Sequence, residues 1–404
     1  MRVISITDRL TAAREIESVG ADEPGCRIMA PKAVFRVVRI SGLTPVQANI
    51  LKQEMLSKGG EAAVSRGVVN NSVHETDVLL MGTLRQYEEL LPKLRMQPFG
   101  LPKLGEELKR VLTNIEGRSS CCLNCRGRRL VLGERTLVMG ILNITPDSFS
   151  DGGQYDTVEK AKARAVEMVE QGADIIDIGG ESTRPGHTPV DEKEEIRRVL
   201  PVLEAVVPLV PVPVSIDTSK AAVARAALNA GAHIINDQWA LSGAGMAELA
   251  VVSGAPVVLM HNQRGTVYRD LMGDVIDHLK KRISFVLAAG LPPEHIIIDP
   301  GIGFGKTPEQ NLEVVRRLEE LNSLGFPVLV GLSRKSFIGN VLGLPVTDRM
   351  EGTAAAVSVA VMKGADIVRV HDVKEMVRVV RMTDALKRQS AASRLWSDNR
   401  QVER

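Results

Sequence analysis

Aromatic residues and net charge are both scarce in this 404-residue chain. Phenylalanine, tryptophan and tyrosine make up 3% of it, and 51 basic against 49 acidic residues leave a formal net charge of +2. A near-neutral chain has no excess of positive charge for a phosphate backbone, and few rings are present to stack on bases. The composition therefore predicts no nucleic-acid partner.

Long apolar runs are missing as well. No segment approaches the ~18 apolar residues needed to span a bilayer, and the first twenty residues lack a basic stretch followed by an apolar core. We therefore expect no membrane association and a cytoplasmic location.

Cysteine is rare, and the four cysteines are Cys26, Cys121, Cys122 and Cys125. Cys122 and Cys125 form a C-x-x-C pair, which is half of a zinc or redox motif, and no second pair lies nearby. Because cytosolic thiols are usually reduced, we interpret these residues as free thiols in a linker, with a metal or redox role as the alternative.

The length and the 44% hydrophobic content predict one large domain with a smaller one. Residues 1–125 show short strands and helices in the order β-α-β-β-α, which is typical of a small α+β domain, and end in the Cys-containing linker. This region has no paired carboxylates, phosphate loop or basic stripe, so its role is unknown and a structural or interaction role is favoured. Residues 391–404 form a polar tail.

Strand-like apolar runs recur from residue 137 onward, with helical segments between them. Eight such runs over about 250 residues predict a (β/α)8 TIM barrel over residues 126–390, and hence an α/β fold class. An open doubly wound sheet would show fewer strands and a glycine fingerprint after the first, where Asn143 stands instead. The runs are LVMGILN (137–143), DIIDIGG (174–180), PVSID (213–217), AHIIND (232–237), PVVLMH (256–261), HIIIDP (295–300), PVLVGLS (327–333) and DIVRVH (366–371).

Polar residues stand at the carboxyl end of each run. In a barrel of this kind these ends meet at one mouth, where active sites lie. We therefore expect the polar ends to converge. They are Asn143, the GESTR segment 180–184, Asp217, Asn236, His261, Asp299, the SRK segment 333–335, and Arg369 with His371.

The chemistry of these residues divides into two groups. Asp217, Asn236 and Asp299 suit a planar heterocycle, because a carboxylate accepts two parallel hydrogen bonds and an amide both donates and accepts. Lys335, Arg369 and His371, with the hydroxyls of Ser182 and Thr183, suit an anion such as phosphate. The mouth is therefore expected to bind a ring and a phosphate group.

The segment GIGFGKT (301–307) resembles a phosphate-binding loop, but Pro300 stands where that motif has its first glycine. We interpret its glycines as shaping the loop after the sixth strand.

In these motifs the sequence closely resembles the dihydropteroate synthase family of pterin-binding barrel enzymes. The resemblance runs from about Arg128 to about Arg388 and rests on GILNITPDSFSDGG, DIGGESTRPG, SIDTSK, GAHIIND, DPGIGFGK, GLSRKS and RVHDVKE. It implies a transferase of folate biosynthesis. The implied reaction joins 6-hydroxymethyl-7,8-dihydropterin diphosphate to 4-aminobenzoate, with Mg²⁺ as cofactor, and yields 7,8-dihydropteroate and diphosphate.

The same resemblance implies a role for each matching residue. Lys335, Arg369 and His371 would be catalytic, and Asn143 would bind Mg²⁺. The pterin would be held by Asp217, Asn236, Asp299 and Lys335; the diphosphate by Arg369 and His371, with Thr183 lining that site; and the aminobenzoate by Phe149, Thr183, Arg184, Pro185 and Ser336. The extension of about 125 residues has no counterpart in the shortest family members, so the resemblance implies nothing about its role.

Two alternatives to this function are open. One is a methyltransferase that moves a methyl group from methyltetrahydrofolate to a corrinoid protein; the SRK and RVH segments disfavour it, because a methyl donor has no diphosphate to bind. The other is a barrel that binds pterin without catalysis. We also expect a homodimer, although the apolar positions Val357, Val361, Val377 and Val380 on the last helices suit either an interface or the barrel core.

Overall fold

A computed structural model of the chain describes residues 1–117, 120–144, 154–181 and 190–387, with side chains from residue 157 in the third of these ranges. The chain divides into two units, Met1–Arg118 and Ser119–Arg404. None of the helices in the described part is both long and apolar enough to cross a bilayer.

The first unit is a small α+β domain, as predicted. Its three strands form an antiparallel sheet in which the third strand lies between the other two. Three helices, the first two and the last, were not predicted. The elements are α1 Arg9–Ser18, α2 Glu23–Ala33, β1 Phe35–Leu43, α3 Pro45–Leu56, β2 Glu61–Val64, β3 Thr76–Thr83, α4 Leu84–Leu94 and α5 Leu101–Ile115.

Helices α3 and α4 begin where the sequence supplies a capping box. Thr44 and Gln47 satisfy each other's backbone N–H groups at the start of α3, and Thr83 and Gln86 do the same at α4. Both helices then bury an apolar face against the sheet, with Tyr87 donating a 3.0 Å hydrogen bond to the carbonyl oxygen of Leu80.

The second unit contains the eight predicted barrel strands, each shorter than or equal to its predicted run. A two-stranded hairpin precedes them. The strands are β4 Cys121–Cys125, β5 Arg128–Leu132, β6 Leu137–Asn143, β7 Ile175–Gly179, β8 Val214–Asp217, β9 Ile234–Asp237, β10 Val257–Met260, β11 Ile296–Asp299, β12 Leu329–Gly331 and β13 Ile367–Val370. The helices are α6 Gln154–Glu170, α7 Glu192–Val206, α8 Ala221–Asn229, α9 Met246–Ser253, α10 Leu271–Ala288, α11 Pro308–Arg316, α12 Ser336–Leu342, α13 Met350–Met362 and α14 Val373–Lys387.

The eight strands β6 to β13 form a closed parallel barrel. Each pairs with its sequence neighbour, β13 pairs with β6, and a parallel bridge between Ile298 and Val328 joins the remaining pair. All five residues of β7 and all four of β10 and β11 are buried, because helices cover the outside while side chains fill the inside. The predicted (β/α)8 fold is confirmed.

The hairpin β4–β5 belongs to the barrel unit, which differs from the predicted linker. A two-residue turn at Arg126 and Gly127, both with positive φ, joins its strands. Leu123 and Leu130 pack with the inward-facing residues at the amino ends of the barrel strands, including Met139. The hairpin therefore closes the end of the barrel opposite the mouth.

The cysteines do not form the C-x-x-C arrangement of a metal site. Strand alternation places Cys122 on the exposed face of β4 and Cys125 on the buried face, where burial raises the pKa of the Cys125 thiol to about 12. None of the four cysteines, which all lie in the described ranges, takes part in a disulfide bond. No group of three or more potential metal-binding His, Cys, Asp or Glu side chains occurs within the described ranges.

The four valines that suited either an interface or the barrel core lie in the core between barrel strands and helices. They are Val357, Val361, Val377 and Val380.

Replacing Leu123 by alanine is expected to lower the free energy of unfolding by about 2–5 kcal/mol, because a side chain 1% exposed would leave a cavity inside the barrel end. Chemical denaturation measures this. Val131→Ala is the matched control: Val131 is 43% exposed on the other strand of the hairpin, and its loss is expected to cost less than about 0.5 kcal/mol. Equal losses in the two variants would contradict the closing role of the hairpin.

Candidate active site

A pocket opens at the carboxyl ends of the barrel strands. Five of the predicted site residues line it together, although they are spread over more than 150 positions of the chain. The lining residues are Asp217, Asn236, Gln238, Met260, Asp299, Ile302, Phe304, Gly331, Lys335 and Arg369.

An ion cluster stands at the base of this pocket. The guanidinium of Arg369 donates from Nε to Oδ2 of Asp177 at 2.6 Å and from Nη2 to Oδ2 of Asp217 at 2.7 Å. Asn236 donates from Nδ2 to the same Oδ2 of Asp177 at 3.1 Å. Asp177 therefore orients both Arg369 and Asn236.

Asp177 was not among the predicted site residues. It is fully buried in the middle of β7, between isoleucines, whereas the prediction drew only on residues at strand ends. The available signal was its type: a carboxylate within an otherwise apolar strand needs a charged or hydrogen-bonding partner inside the barrel.

Asp299 and Asn236 are almost fully buried, with 6% and 8% of their surfaces exposed. Oδ1 of Asp299 accepts a 2.7 Å hydrogen bond from the backbone N–H of Gly301, which fixes the carboxylate at the end of β11. Asp299 and Asn236 thus present rigid polar groups on the pocket wall.

Lys335 reaches the pocket from a strained turn after β12. The preceding residue, Arg334, has a φ of +58°, a backbone conformation that residues other than glycine rarely adopt. Arg334 is held there by a two-pronged ion pair with Asp372, at 3.0 and 2.5 Å. The Lys335 ammonium lies 4.4 Å from the ring centroid of Phe304.

His371 also joins the loop after β12 to the loop after β13. Its Nδ1 lies 3.0 Å from Oγ of Ser333, and its backbone N–H donates to that oxygen at 3.2 Å. Ser336 begins α12 directly after Lys335 and is exposed. The structure thus brings the predicted cationic residues to one side of the mouth.

Asn143 ends β6, next to the ion cluster. A Cβ atom added to Gly179 would lie 3.8 Å from Oδ2 of Asp217 and 3.9 Å from Oδ1 of Asn143, so this glycine keeps open the space between the two side chains. The amide oxygen of Asn143 is a suitable ligand for Mg²⁺ if substrate and water supply the other ligands.

Four further predicted site residues, Phe149, Thr183, Arg184 and Pro185, lie outside the described residues, as does Ser182.

Burial dominates the electrostatics of the pocket. It raises the pKa of Asp217 to about 7, although Arg369 opposes the shift, and it raises the pKa of Asp299 to about 6 against the hydrogen bond from Gly301. Burial alone would lower the pKa of Arg369, but Asp177 and Asp217 raise it above its ordinary value. The pocket therefore holds a permanent cation beside carboxylates that favour a hydrogen-bond donor or a cation in place of water.

Replacing Asp177 by asparagine is expected to lower kcat/KM about tenfold, because the ion pair that orients Arg369 becomes a weaker bond from the guanidinium to a neutral amide oxygen. Steady-state kinetics of the purified enzyme measures kcat/KM. Asp174→Asn is the matched control, since Asp174 precedes the other end of β7 and pairs with Arg135 away from the pocket. A normal kcat/KM in Asp177→Asn would show that Asp217 alone orients Arg369.

The family described as pterin binding enzyme matches residues 139–371. Dihydropteroate synthase from Clostridium beijerinckii is 52% identical over 259 residues, covering 64% of this chain and 96% of that protein. A solved structure of Xanthomonas albilineans dihydropteroate synthase with 4-aminobenzoic acid is 45% identical, with a TM-score of 0.65, and covers 67% of this chain and 99% of that one.

A third similarity reaches further along the chain. A probable bifunctional folylpolyglutamate synthase/dihydropteroate synthase from Halobacterium salinarum is 45% identical over 386 residues, which cover 94% of this chain and 46% of that protein. Because the match spans nearly the whole chain, it includes most of the first unit.

Proposed function

The chain belongs to the pterin binding enzyme family, and from this premise we propose that it is a dihydropteroate synthase, which joins 6-hydroxymethyl-7,8-dihydropterin diphosphate to 4-aminobenzoate and releases diphosphate. One observation carries the proposal: Asp217, Asn236 and Asp299 share a pocket with the cations of Lys335 and Arg369. Methyl transfer to a corrinoid protein would leave these cations without a diphosphate to bind.

The acidic wall recognises the pterin ring. Oδ1 of Asp299 accepts the hydrogen bond from Gly301, so Oδ2 remains to accept a hydrogen bond from a ring N–H group. Asn236 donates to Asp177 through Nδ2, which leaves its carbonyl oxygen as an acceptor. These groups are fixed before the ring arrives, which limits the ordering that binding requires.

The cationic side takes the charge that develops on the leaving diphosphate. Arg369 uses two of its five N–H groups on Asp177 and Asp217, so the others are available to phosphate oxygens. Lys335 lines the same pocket from the turn after β12, and His371 directly follows β13, the strand that carries Arg369. Loss of diphosphate leaves a resonance-stabilised cation on the pterin, and the carboxylates of Asp217 and Asp299 stabilise it.

The second substrate needs no strong base. The amino group of 4-aminobenzoate is neutral and carries its own lone pair, so the enzyme has to place it and exclude water. We assign its site to Ser336, at the start of α12, together with Phe149, Thr183, Arg184 and Pro185.

Mg²⁺ is proposed as the cofactor. Asn143 would hold it with oxygens of the diphosphate, in keeping with the lack of a three-ligand acidic or histidine cluster in the described part of the chain. When bound, it neutralises charge on the leaving group.

A homodimer is proposed on the evidence of exposed apolar residues on α13 and α14. Val359, Met362, Met382 and Leu386 are between 42% and 68% exposed. Light scattering of the purified protein at micromolar concentration is expected to give twice the mass of the chain, and a monomer mass would reject the dimer. The cytoplasmic location stays a prediction.

The function is tested by incubating the purified protein with pterin diphosphate, 4-aminobenzoate and Mg²⁺. Formation of 7,8-dihydropteroate with one equivalent of diphosphate is the expected result. Absence of product, together with methyl transfer from methyltetrahydrofolate to a corrinoid, would replace the proposal with the alternative.

A further inference from the structure

Lys306, in the segment that resembles a phosphate loop, is turned into the protein. It is 8% exposed, and its Nζ lies 3.0 Å from the carbonyl oxygen of Gly301, 3.2 Å from that of Phe304 and 3.0 Å from Nδ1 of His261. An ammonium ion has three N–H donors, and these three acceptors use all of them. Lys306 is therefore engaged by the protein itself.

These contacts close the loop 301–306 on itself and on the end of β10. A Cβ at Gly301 would come within 1.9 Å of the carbonyl oxygen of His261, and one at Gly303 within 3.1 Å of Cδ of Lys335. The loop is thus packed between His261 and Lys335, with no room for a side chain at Gly301 and a tight contact at Gly303.

The loop carries part of the proposed pterin site. Ile302 and Phe304 line the pocket, and the N–H of Gly301 holds Asp299. Lys306 binds two carbonyl oxygens of this loop, those of Gly301, before the first lining residue, and of Phe304, the second lining residue. A displacement of the ammonium would therefore be transmitted to both the carboxylate and the ring of Phe304.

Lys306 also supplies charge to Asp299. Burial lowers the pKa of Lys306 to about 7, so its side chain is a cation below that pH. This cation, like Lys335 and Arg369, favours the ionised carboxylate against the effect of burial. On its other side lie two imidazoles: burial lowers the pKa of His261 to about 3 and also lowers that of His278, whose ring centroid is 4.9 Å from that of His261. Both rings are neutral near pH 7, so Nδ1 of His261 accepts a hydrogen bond from the ammonium of Lys306.

We propose that Lys306 is a positioning residue for pterin recognition, which holds the loop 301–306 in place and, through the N–H of Gly301, the carboxylate of Asp299. The inference rests on the proposed function, and it assigns a role to a lysine that touches neither substrate.

The test compares wild type with Lys306→Met in binding 6-hydroxymethyl-7,8-dihydropterin, a probe without the diphosphate, by calorimetry from pH 5 to 8. The Kd is expected to rise about 10- to 100-fold, the loss expected for hydrogen bonds to a charged group. The acid limit of binding is expected to move to higher pH, because Asp299 loses one of the cations that keep it ionised. The KM for 4-aminobenzoate at saturating pterin diphosphate is expected to stay unchanged.

Lys306→Gln separates the two effects, and replaces the methionine variant if that does not fold. It keeps two N–H donors without charge, so the Kd should rise less while the acid limit still shifts. Lys363→Met is the control, since Lys363 pairs with Glu319 on the surface and should leave both properties unchanged.

An unchanged Kd and acid limit in both Lys306 variants, with wild-type turnover intact, would overturn the inference and leave the proposed function standing. Lack of dihydropteroate formation by wild type would instead overturn the function.

Discussion

Arg369→Met is expected to lower kcat/KM for pterin diphosphate by about 100- to 1000-fold, the usual effect of removing a group that stabilises developing charge. It is also expected to destabilise the fold by about 3–5 kcal/mol, because Asp177 and Asp217 would be left buried without their cation. Steady-state kinetics and chemical denaturation measure the two losses separately.

The double variant Arg369→Met with Asp177→Asn distinguishes these effects. Removing one unpaired carboxylate should restore part of the lost stability, since fewer buried charges remain, whereas activity should stay low. If the double variant were less stable than Arg369→Met, the ion cluster would not be the source of the destabilisation.

Asp299→Asn is expected to weaken pterin binding by about 100-fold, while the Gly301 hydrogen bond survives. The asparagine keeps an oxygen for that N–H, but its second group is an N–H₂ that meets the ring donors with another donor. Calorimetry with pterin diphosphate measures the loss. Near-normal affinity would remove Asp299 from the pterin site.

The same substitution is expected to stabilise the fold at neutral pH. Burial raises the pKa of Asp299 from 3.8 to about 6, so the folded state holds a proton that the unfolded state releases over this range. Wild-type stability therefore falls as pH rises from about 4 to 6, by an amount on the order of 3 kcal/mol. The asparagine lacks this penalty, so its advantage should appear across that window and stay constant above it. An equal difference at pH 4 and pH 7.5 would contradict this.

Much of the fold is readable from the chain because parallel barrel strands are buried on both faces. Such strands must be apolar throughout, so runs such as LVMGILN and DIIDIGG stand out, and all eight predicted strands were found. Their polar ends were predicted to meet, and Asp217, Asn236, Asp299, Lys335 and Arg369 do line one pocket.

Other features could not be predicted from the sequence, for a physical reason. A strand buried on both faces gives no period that shows which side chains point inward, so Asp177 could not be assigned to Arg369, 192 positions away. Nor could the pattern show that Cys121–Cys125 forms a hairpin strand, because its partner and the barrel end that it covers are set by packing.

Residue order alone was thus enough to predict the strand count, the barrel and the kind of ligand at its mouth. These features depend on whether each residue is apolar or polar, and on its chemical type, which the sequence gives directly. Which charges pair, how Arg334 is held in a strained turn, and where Lys306 points were settled only on folding. Those properties depend on distances between residues far apart in the chain, and such distances exist only once the barrel has closed.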